Sequence, residues 1–134
     1  MGYFYNPNIQ PQTEFNLRQE TMRKYAAMVG LEVIYEAAAT LRGLPTRGDC
    51  ENCYRTRLAK TAEAAKELGF ECFSTTLLIS PYQKIELIKK IGDEIGAQVG
   101  VKFLCQDFRI GYRASRQMAR ELNLHMQRYC GCQN

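Results

Sequence analysis

Short apolar runs alternate along this chain with segments whose apolar residues recur at helical spacing, and that alternation leaves few folds open. "GYFY" reads as an aromatic strand closed by the turn signal "NPN". Phe15, Met22, Tyr25, Ala26 and Val29 then recur as one face of a helix that Gly30 stops. "LEVIYE" predicts a second strand, and "AAATLRGLPTRGD" a Gly/Pro-punctuated connection that can begin helical. Asp49 is placed to cap the next helix, whose apolar stripe is Tyr54, Leu58, Ala62, Ala65 and Leu68, with Gly69 as its left-handed end. "FSTTLLI" is nearly continuous in β-branched and apolar residues, the pattern of a strand buried on both faces and hence parallel. Ser80 as cap and Pro81 at the first helical position open a helix carried by Ile85, Ile88, Ile91 and Ile95 and ended by Gly100. "VKFL" is another buried strand, "CQDFRIG" a loop, and a last helix runs from Tyr112 to Leu122. The class this predicts is α/β, a parallel sheet flanked by helices.

At 134 residues the chain suggests one domain, long enough to bury a core without disulfide or metal scaffolding. No apolar run reaches the roughly 18 residues that span a membrane, and "MGYFYNPNIQPQ" lacks the basic and apolar regions of a signal peptide. A cytoplasmic location follows as the expectation, and with it six cysteines kept as thiols for metal or redox chemistry rather than a disulfide framework. The net charge of +4 permits an anionic partner such as RNA without demanding one.

Open parallel sheets bind ligands beyond the carboxyl ends of their strands. The loops expected there are "NPN" with Asn6 and Asn8, "SPYQ" with Ser80, Tyr82 and Gln83, and "CQDFR" with Asp107 and Arg109. These are the candidate substrate contacts.

"DCENC" sets Cys50 and Cys53 in the first turn of a helix, three residues apart and so on one face. The helix N-terminus favours thiolate there. One CxxC fits half a zinc site, part of an iron–sulfur site or a thioredoxin-like pair. The bland alternative is two small buried residues. Cys130 and Cys132 in "YCGC" add two thiols, and the two pairs together make a four-thiolate site the simplest metal hypothesis. One intervening residue is tight for two ligands of one metal, while alternate residues of an extended segment approach disulfide reach. A ring that small would be strained and readily reduced. Cys72 and Cys105 adjoin apolar strands and read as core packing. The lone His125 reads as a surface or half-buried imidazole.

Arg109, Arg113, Arg116 and Arg120 recur at steps of four, three and four, one face of the last helix if it begins as early as Arg109. Arg113, Arg116 and Arg120 have no acid four residues on. Arginine stripes bind phosphates, although a solvated face is the plain alternative.

Five stretches occur in order across essentially the whole chain: "YFYNPNIQP", "CENCYRTRLAKTAEAAKELGF", "FSTTLLISPYQK", "FLCQDFR" and "RYCGC". Together they closely resemble the QueH-type epoxyqueuosine reductases. The resemblance implies a Rossmann-like fold and the last step of queuosine synthesis, deoxygenation of an epoxide in a tRNA anticodon loop. It implies a four-iron–four-sulfur cluster, a neighbouring iron ion and an external electron donor. Cys50 and Cys53 match two cluster ligands, and Cys130 and Cys132 match a redox-active disulfide. The resemblance assigns no ligands to the adjacent iron, and Asp107, a carboxylate in a strand-end loop, is the candidate on chemistry alone. Arg113, Arg116 and Arg120 would hold tRNA phosphates.

One departure stands out. QueH-type proteins begin with a strand leading into two adjacent cysteines, in a motif like "CCAPC", which complete the cluster. This sequence begins at "MGYFYNPN" and contains no adjacent cysteines. The expectation is therefore a single domain over 1–134, truncated at its N-terminus and missing a first, central strand. Each buried backbone group left unpaired there would cost about 1–3 kcal/mol. Two other outcomes follow from that departure: an RNA-binding α/β module with structural zinc at Cys50, Cys53, Cys130 and Cys132, or an inactive fragment.

Overall fold

The computed structural model describes residues 1–36 and 49–132. It is a mixed α/β structure: β1 (Gly2–Phe4), α1 (Gln12–Val29), β2 (Val33–Tyr35), α2 (Cys50–Glu67), β3 (Cys72–Phe73), α3 (Ile85–Val99), β4 (Lys102–Phe103) and α4 (Tyr112–Glu121). Short 3-10 turns cover Thr76–Ile79 and Arg109–Gly111. All but Asp49 of the predicted connection "AAATLRGLPTRGD" lies outside the described residues. The chain divides into two compact units, Met1–Asp49 with Arg116–Asn134 and Cys50–Ser115, the boundary falling inside α4. No helix among the described residues is long and apolar enough to cross a membrane.

In the first unit β1 and β2 pair in parallel, Gly2 opposite Val33 and Phe4 opposite Tyr35. The connecting α1 buries Phe15, Arg18 and Ala26, and Phe15 meets Phe4 edge-on at 5.7 Å. Gly30 ends the helix at φ 68°, a left-handed conformation that glycine adopts without a Cβ penalty. Val29, predicted on the apolar face, is exposed in the last turn.

In the second unit β3 and β4 are also parallel, Cys72 opposite Lys102 and Phe73 opposite Phe103. Tyr54, Leu58 and Ala62 of α2 meet Ile88, Ile91 and Ile95 of α3, with Phe73, Leu78, Val101 and Phe103 completing the core. Full burial of each large aliphatic side chain contributes about 1.5–3 kcal/mol. An exposed pair such as Lys89–Asp93 on α3 contributes about 0–1 kcal/mol, so the apolar stripe sets the rotation of the helix.

The predicted strands are shorter than the sequence suggests. Of "FSTTLLI" only Phe73 is strand, because the Thr75 hydroxyl accepts the Leu77 N–H at 3.2 Å and opens the 3-10 turn. Threonine competes in this way with a sheet ladder. Leu78 is fully buried, but Thr76 is exposed and Leu77 and Ile79 are only half-buried. "VKFL" alternates, with Val101 and Phe103 inside and Lys102 and Leu104 outside. Ser80 does not cap α3, which starts five residues later behind Lys84; the Ser80 hydroxyl instead accepts the Tyr82 N–H at 3.2 Å. Leu68 is exposed beyond the end of α2, and Cys72, predicted as core, is exposed on the outer side of its two-residue strand.

Candidate functional site

Helix α2 begins at Cys50, directly after Asp49, so Cys50 and Cys53 occupy its first turn as half-buried thiols. The next residue ties them to a substrate-loop candidate. Tyr54 is 3% exposed, and its hydroxyl donates to Gln83 Oε1 at 2.6 Å while accepting the Lys84 N–H at 3.2 Å. The "SPYQ" loop is thereby held against the cysteine turn. Within that loop Tyr82 is 81% exposed and meets Tyr112 edge-on at 6.1 Å.

The loop after β4 comes to the same end of this unit, where the Phe108 N–H donates to the Leu78 carbonyl at 3.1 Å. Cys105 packs against the core, and burial pushes its thiol above the ordinary value. Asp107 accepts the Arg109 Nε–H at 2.8 Å and the Arg109 backbone N–H at 3.0 Å. Those bonds hold its carboxyl at about 2, so it is a carboxylate at neutral pH. The same pairing takes Arg109 out of the predicted arginine stripe: it lies in the 3-10 turn ahead of α4. Arg113, Arg116 and Arg120 remain at helical spacing on α4, which buries no side chain.

In the first unit, "YCGC" is fastened from several directions. Arg18 is buried, and its guanidinium donates from Nη2 to the Tyr129 carbonyl at 2.7 Å and from Nη1 to the Cys130 carbonyl at 3.1 Å. Its Nε donates to Glu14 at 2.8 Å, and its Cζ lies 5.1 Å from the Tyr129 ring centre. The Tyr129 hydroxyl donates to the Gln10 carbonyl, and the Gln10 N–H to the Gly131 carbonyl at 2.8 Å. Gly131 turns the chain at φ 140°, a conformation that calls for glycine, and a Cβ there would also crowd Ile9 Cγ1 at 3.2 Å. The outcome is a Cys130–Cys132 sulfur separation of 3.6 Å between two thiols. Asn6, 8% exposed, turns its amide oxygen onto the Asn8 N–H at 3.1 Å, shaping the loop after β1.

Sequence reading missed Arg18, Glu14 and Tyr54, and assigned His125 no partner. The His125 Nε2 lies 3.1 Å from Glu14. Burial alone would raise the Glu14 carboxyl, but hydrogen bonds from Arg18 and His125 outweigh it and leave the group below its ordinary value. A depressed carboxyl stabilises the fold above its unfolded value, about 4.3, and loses that contribution as pH falls through the lowered folded value. The stability advantage of the wild type over Glu14→Gln is therefore expected to be full above about pH 5 and to disappear in stronger acid. Thermal melts of both proteins across pH 3–7, in about that range, check this; an advantage that persists in acid counts against it.

Among the described residues no group of three or more His, Cys, Asp or Glu is arranged to hold a metal ion.

The sequence matches known proteins over its length. The family model for epoxyqueuosine reductase QueH matches residues 1–134. A Thermotoga maritima protein named epoxyqueuosine reductase QueH is 37% identical over 145 aligned positions, covering 97% of this chain and 76% of that protein. One of the same name from Dehalococcoides mccartyi is 38% identical over 136 positions, covering 97% of this chain and 75% of its own. A third, from Helicobacter pylori, is 35% identical, with 99% of this chain and 41% of that protein covered. With a match from first residue to last and relatives of this identity, the chain belongs to the epoxyqueuosine reductase QueH family.

Proposed function

We propose that this protein reduces epoxyqueuosine in tRNA to queuosine, in the cytoplasm, through a Rossmann-like α/β domain. The observation that carries this beyond family membership is the Cys130–Cys132 dithiol, its sulfurs 3.6 Å apart on a turn that requires glycine. Removing an epoxide oxygen takes two electrons and two protons, converting the ring carbons to a double bond and releasing water. A dithiol that closes to a disulfide yields the same two electrons and two protons. An external reductant must then reopen the disulfide for the next turnover.

A four-iron cluster takes four cysteine thiolates. Cys50 and Cys53 fit as two of them, being adjacent on one turn at a positively polarised helix end. The rest of a four-thiolate set is not assembled among the described residues. With an adjacent iron ion, the cluster would supply single-electron transfer and Lewis acidity toward the departing oxygen when bound. Asp107 is a permanent carboxylate near neutral pH and is the candidate to face that iron; its present partner is Arg109. Asn6, Asn8, Ser80, Tyr82, Gln83 and Arg109 lie in the segments between each strand and the helix after it and are the candidate substrate contacts. Tyr82, exposed and edge-on to Tyr112, is suited to stack an unpaired base of an anticodon loop. Arg113, Arg116 and Arg120 on α4 would hold tRNA phosphates.

The test is conversion of epoxyqueuosine-containing tRNA by anaerobically purified protein with a chemical reductant, read by nucleoside mass spectrometry together with iron, sulfide and zinc analysis. Queuosine formation with bound iron and sulfide is expected. One zinc per chain, no brown chromophore and no conversion would overturn the proposal in favour of a structural-zinc RNA-binding module. In the same preparation, replacing Arg113, Arg116 and Arg120 by alanine is expected to weaken tRNA binding. It should flatten the log–log salt slope by about 2–3 units, nearly one per lost phosphate contact. Unchanged binding would make α4 ordinary solvated surface.

A further inference from the structure

Nothing in the redox chemistry of two cysteines explains why a buried arginine 112 residues away binds the backbone between them and the preceding tyrosine. The guanidinium donates to two successive carbonyls, is held from behind by Glu14, and lies against the Tyr129 ring. Glu14 in turn contacts His125, which comes from the same C-terminal segment as the cysteines. Four of the residues in this network, Gln10, Glu14, Arg18 and His125, lie outside the turn itself. What they share is the position of the Tyr129–Cys130–Gly131 backbone.

Resting on the assignment of Cys130 and Cys132 as a redox pair, we infer that Arg18 is a positioning residue that sets the reduction potential of that pair. The geometry works as follows. A free CxC dithiol samples many sulfur separations, and only the short ones lead to a bond of about 2.05 Å. By fixing the Tyr129 and Cys130 carbonyls while Gly131 is fixed through Gln10, the protein keeps the sulfurs in contact in the reduced state. That raises the effective concentration of one thiol toward the other. Disulfide closure, which releases two protons and two electrons to whichever oxidant takes them, becomes correspondingly more favourable. Arginine is required because its planar fork addresses two carbonyls and a carboxylate at once, whereas a lysine ammonium is a point donor that reaches fewer of them in the right directions. Arg18 touches neither sulfur, so its effect travels through the backbone of the turn.

The experiment equilibrates the purified protein with defined ratios of reduced and oxidised glutathione, traps the thiols by alkylation, and counts the Cys130–Cys132 disulfide by mass spectrometry. The exchange consumes one oxidised glutathione and releases two reduced ones per disulfide formed. Wild type, Arg18→Lys and Arg18→Met are compared, each with a circular dichroism melt. The expected result is an equilibrium constant for disulfide formation about tenfold lower in Arg18→Lys, which is about 30 mV for this two-electron couple, and lower again in Arg18→Met. Arg18→Lys keeps the charge and the packed stem, so it decides the matter if Arg18→Met does not fold. Equal constants in folded wild type and Arg18→Lys would overturn the inference and leave Arg18 a structural residue only. A wild-type protein that forms no Cys130–Cys132 disulfide at any glutathione ratio would instead overturn the redox-pair assignment on which it rests.

Discussion

Replacing Cys130 or Cys132 by serine is expected to take multiple-turnover epoxyqueuosine reduction to background while leaving the fold and tRNA affinity in place. The two sulfurs lie 3.6 Å apart as thiols, and closing them to the disulfide distance of about 2.05 Å needs only local rotation within the turn. A serine hydroxyl cannot form that bond, so a single substitution removes the whole two-electron couple. The fold is spared because the clamp on this turn grips carbonyls rather than side chains: Arg18 binds the Tyr129 and Cys130 carbonyls, and Gln10 binds that of Gly131. Cys130 is also exposed, so serine there disturbs no packing. Thermal melts should match wild type within the roughly 0.5 kcal/mol expected of surface changes. Assays with a chemical reductant and epoxyqueuosine-containing tRNA read the outcome. Full turnover by both serine variants would remove the dithiol from the reaction, whereas lost activity with an unfolded protein would point to structure rather than redox chemistry.

Local signals in the sequence located the parts of this structure that depend on near neighbours. Gly30, Gly69 and Gly100 each end a helix or its extension with positive φ, as their positions after an apolar stripe predict. The parallel sense of both strand pairs follows from helices intervening between strands. Strand length was less legible. The two threonines of "FSTTLLI" look like strand residues by propensity, yet the Thr75 hydroxyl bonds the backbone two residues ahead and turns the chain. Apolar composition could not distinguish a buried strand from a 3-10 turn that buries one leucine. The site shows the same division. Cys50 and Cys53 stand out in the sequence as candidates because a spacing of three at a helix start is a local feature. Arg18 is not, because its partners lie more than a hundred residues away; only its spacing of four from Glu14, beside the buried Phe15, hints at a polar pair on an inward face. Tyr54 was counted as one more apolar residue, and the bonds of its hydroxyl to Gln83 and Lys84 depend on how the chain returns after β3.

The glycines of α3 carry the largest stability effect expected here. Ile85, Ile88, Ile91 and Ile95 mark the apolar stripe, but Gly92 and Gly96 mark where the strand comes closest. A Cβ on Gly92 would lie 2.3 Å from the Phe103 ring, and one on Gly96 would lie 2.5 Å from the Val101 carbonyl oxygen. Alanine at an interior helix position ordinarily gains about 1 kcal/mol over glycine. Overpacking a filled core costs about 1–3 kcal/mol and occasionally more. The contact distances decide between the two. At Gly96 the obstacle is backbone, and it cannot retreat freely: the Gly100 and Val101 N–H groups both donate to the Gly96 carbonyl, and Val101 and Phe103 are buried. At Gly92 the ring would have to leave its place beside Phe73, 5.1 Å away. Gly96→Ala and Gly92→Ala are therefore each expected to destabilise the protein by about 1–3 kcal/mol, enough to lower the melting midpoint by about 5–15 °C. Their effects should not add, since both press on the Val101–Phe103 segment, one at its backbone and the other at the Phe103 ring. The same displacement would move the segment after β4 that carries Asp107 and Arg109, so reductase activity should fall in Gly96→Ala below its own melting temperature. A Gly96→Ala protein as stable and as active as wild type would show that β4 does not approach α3 this closely.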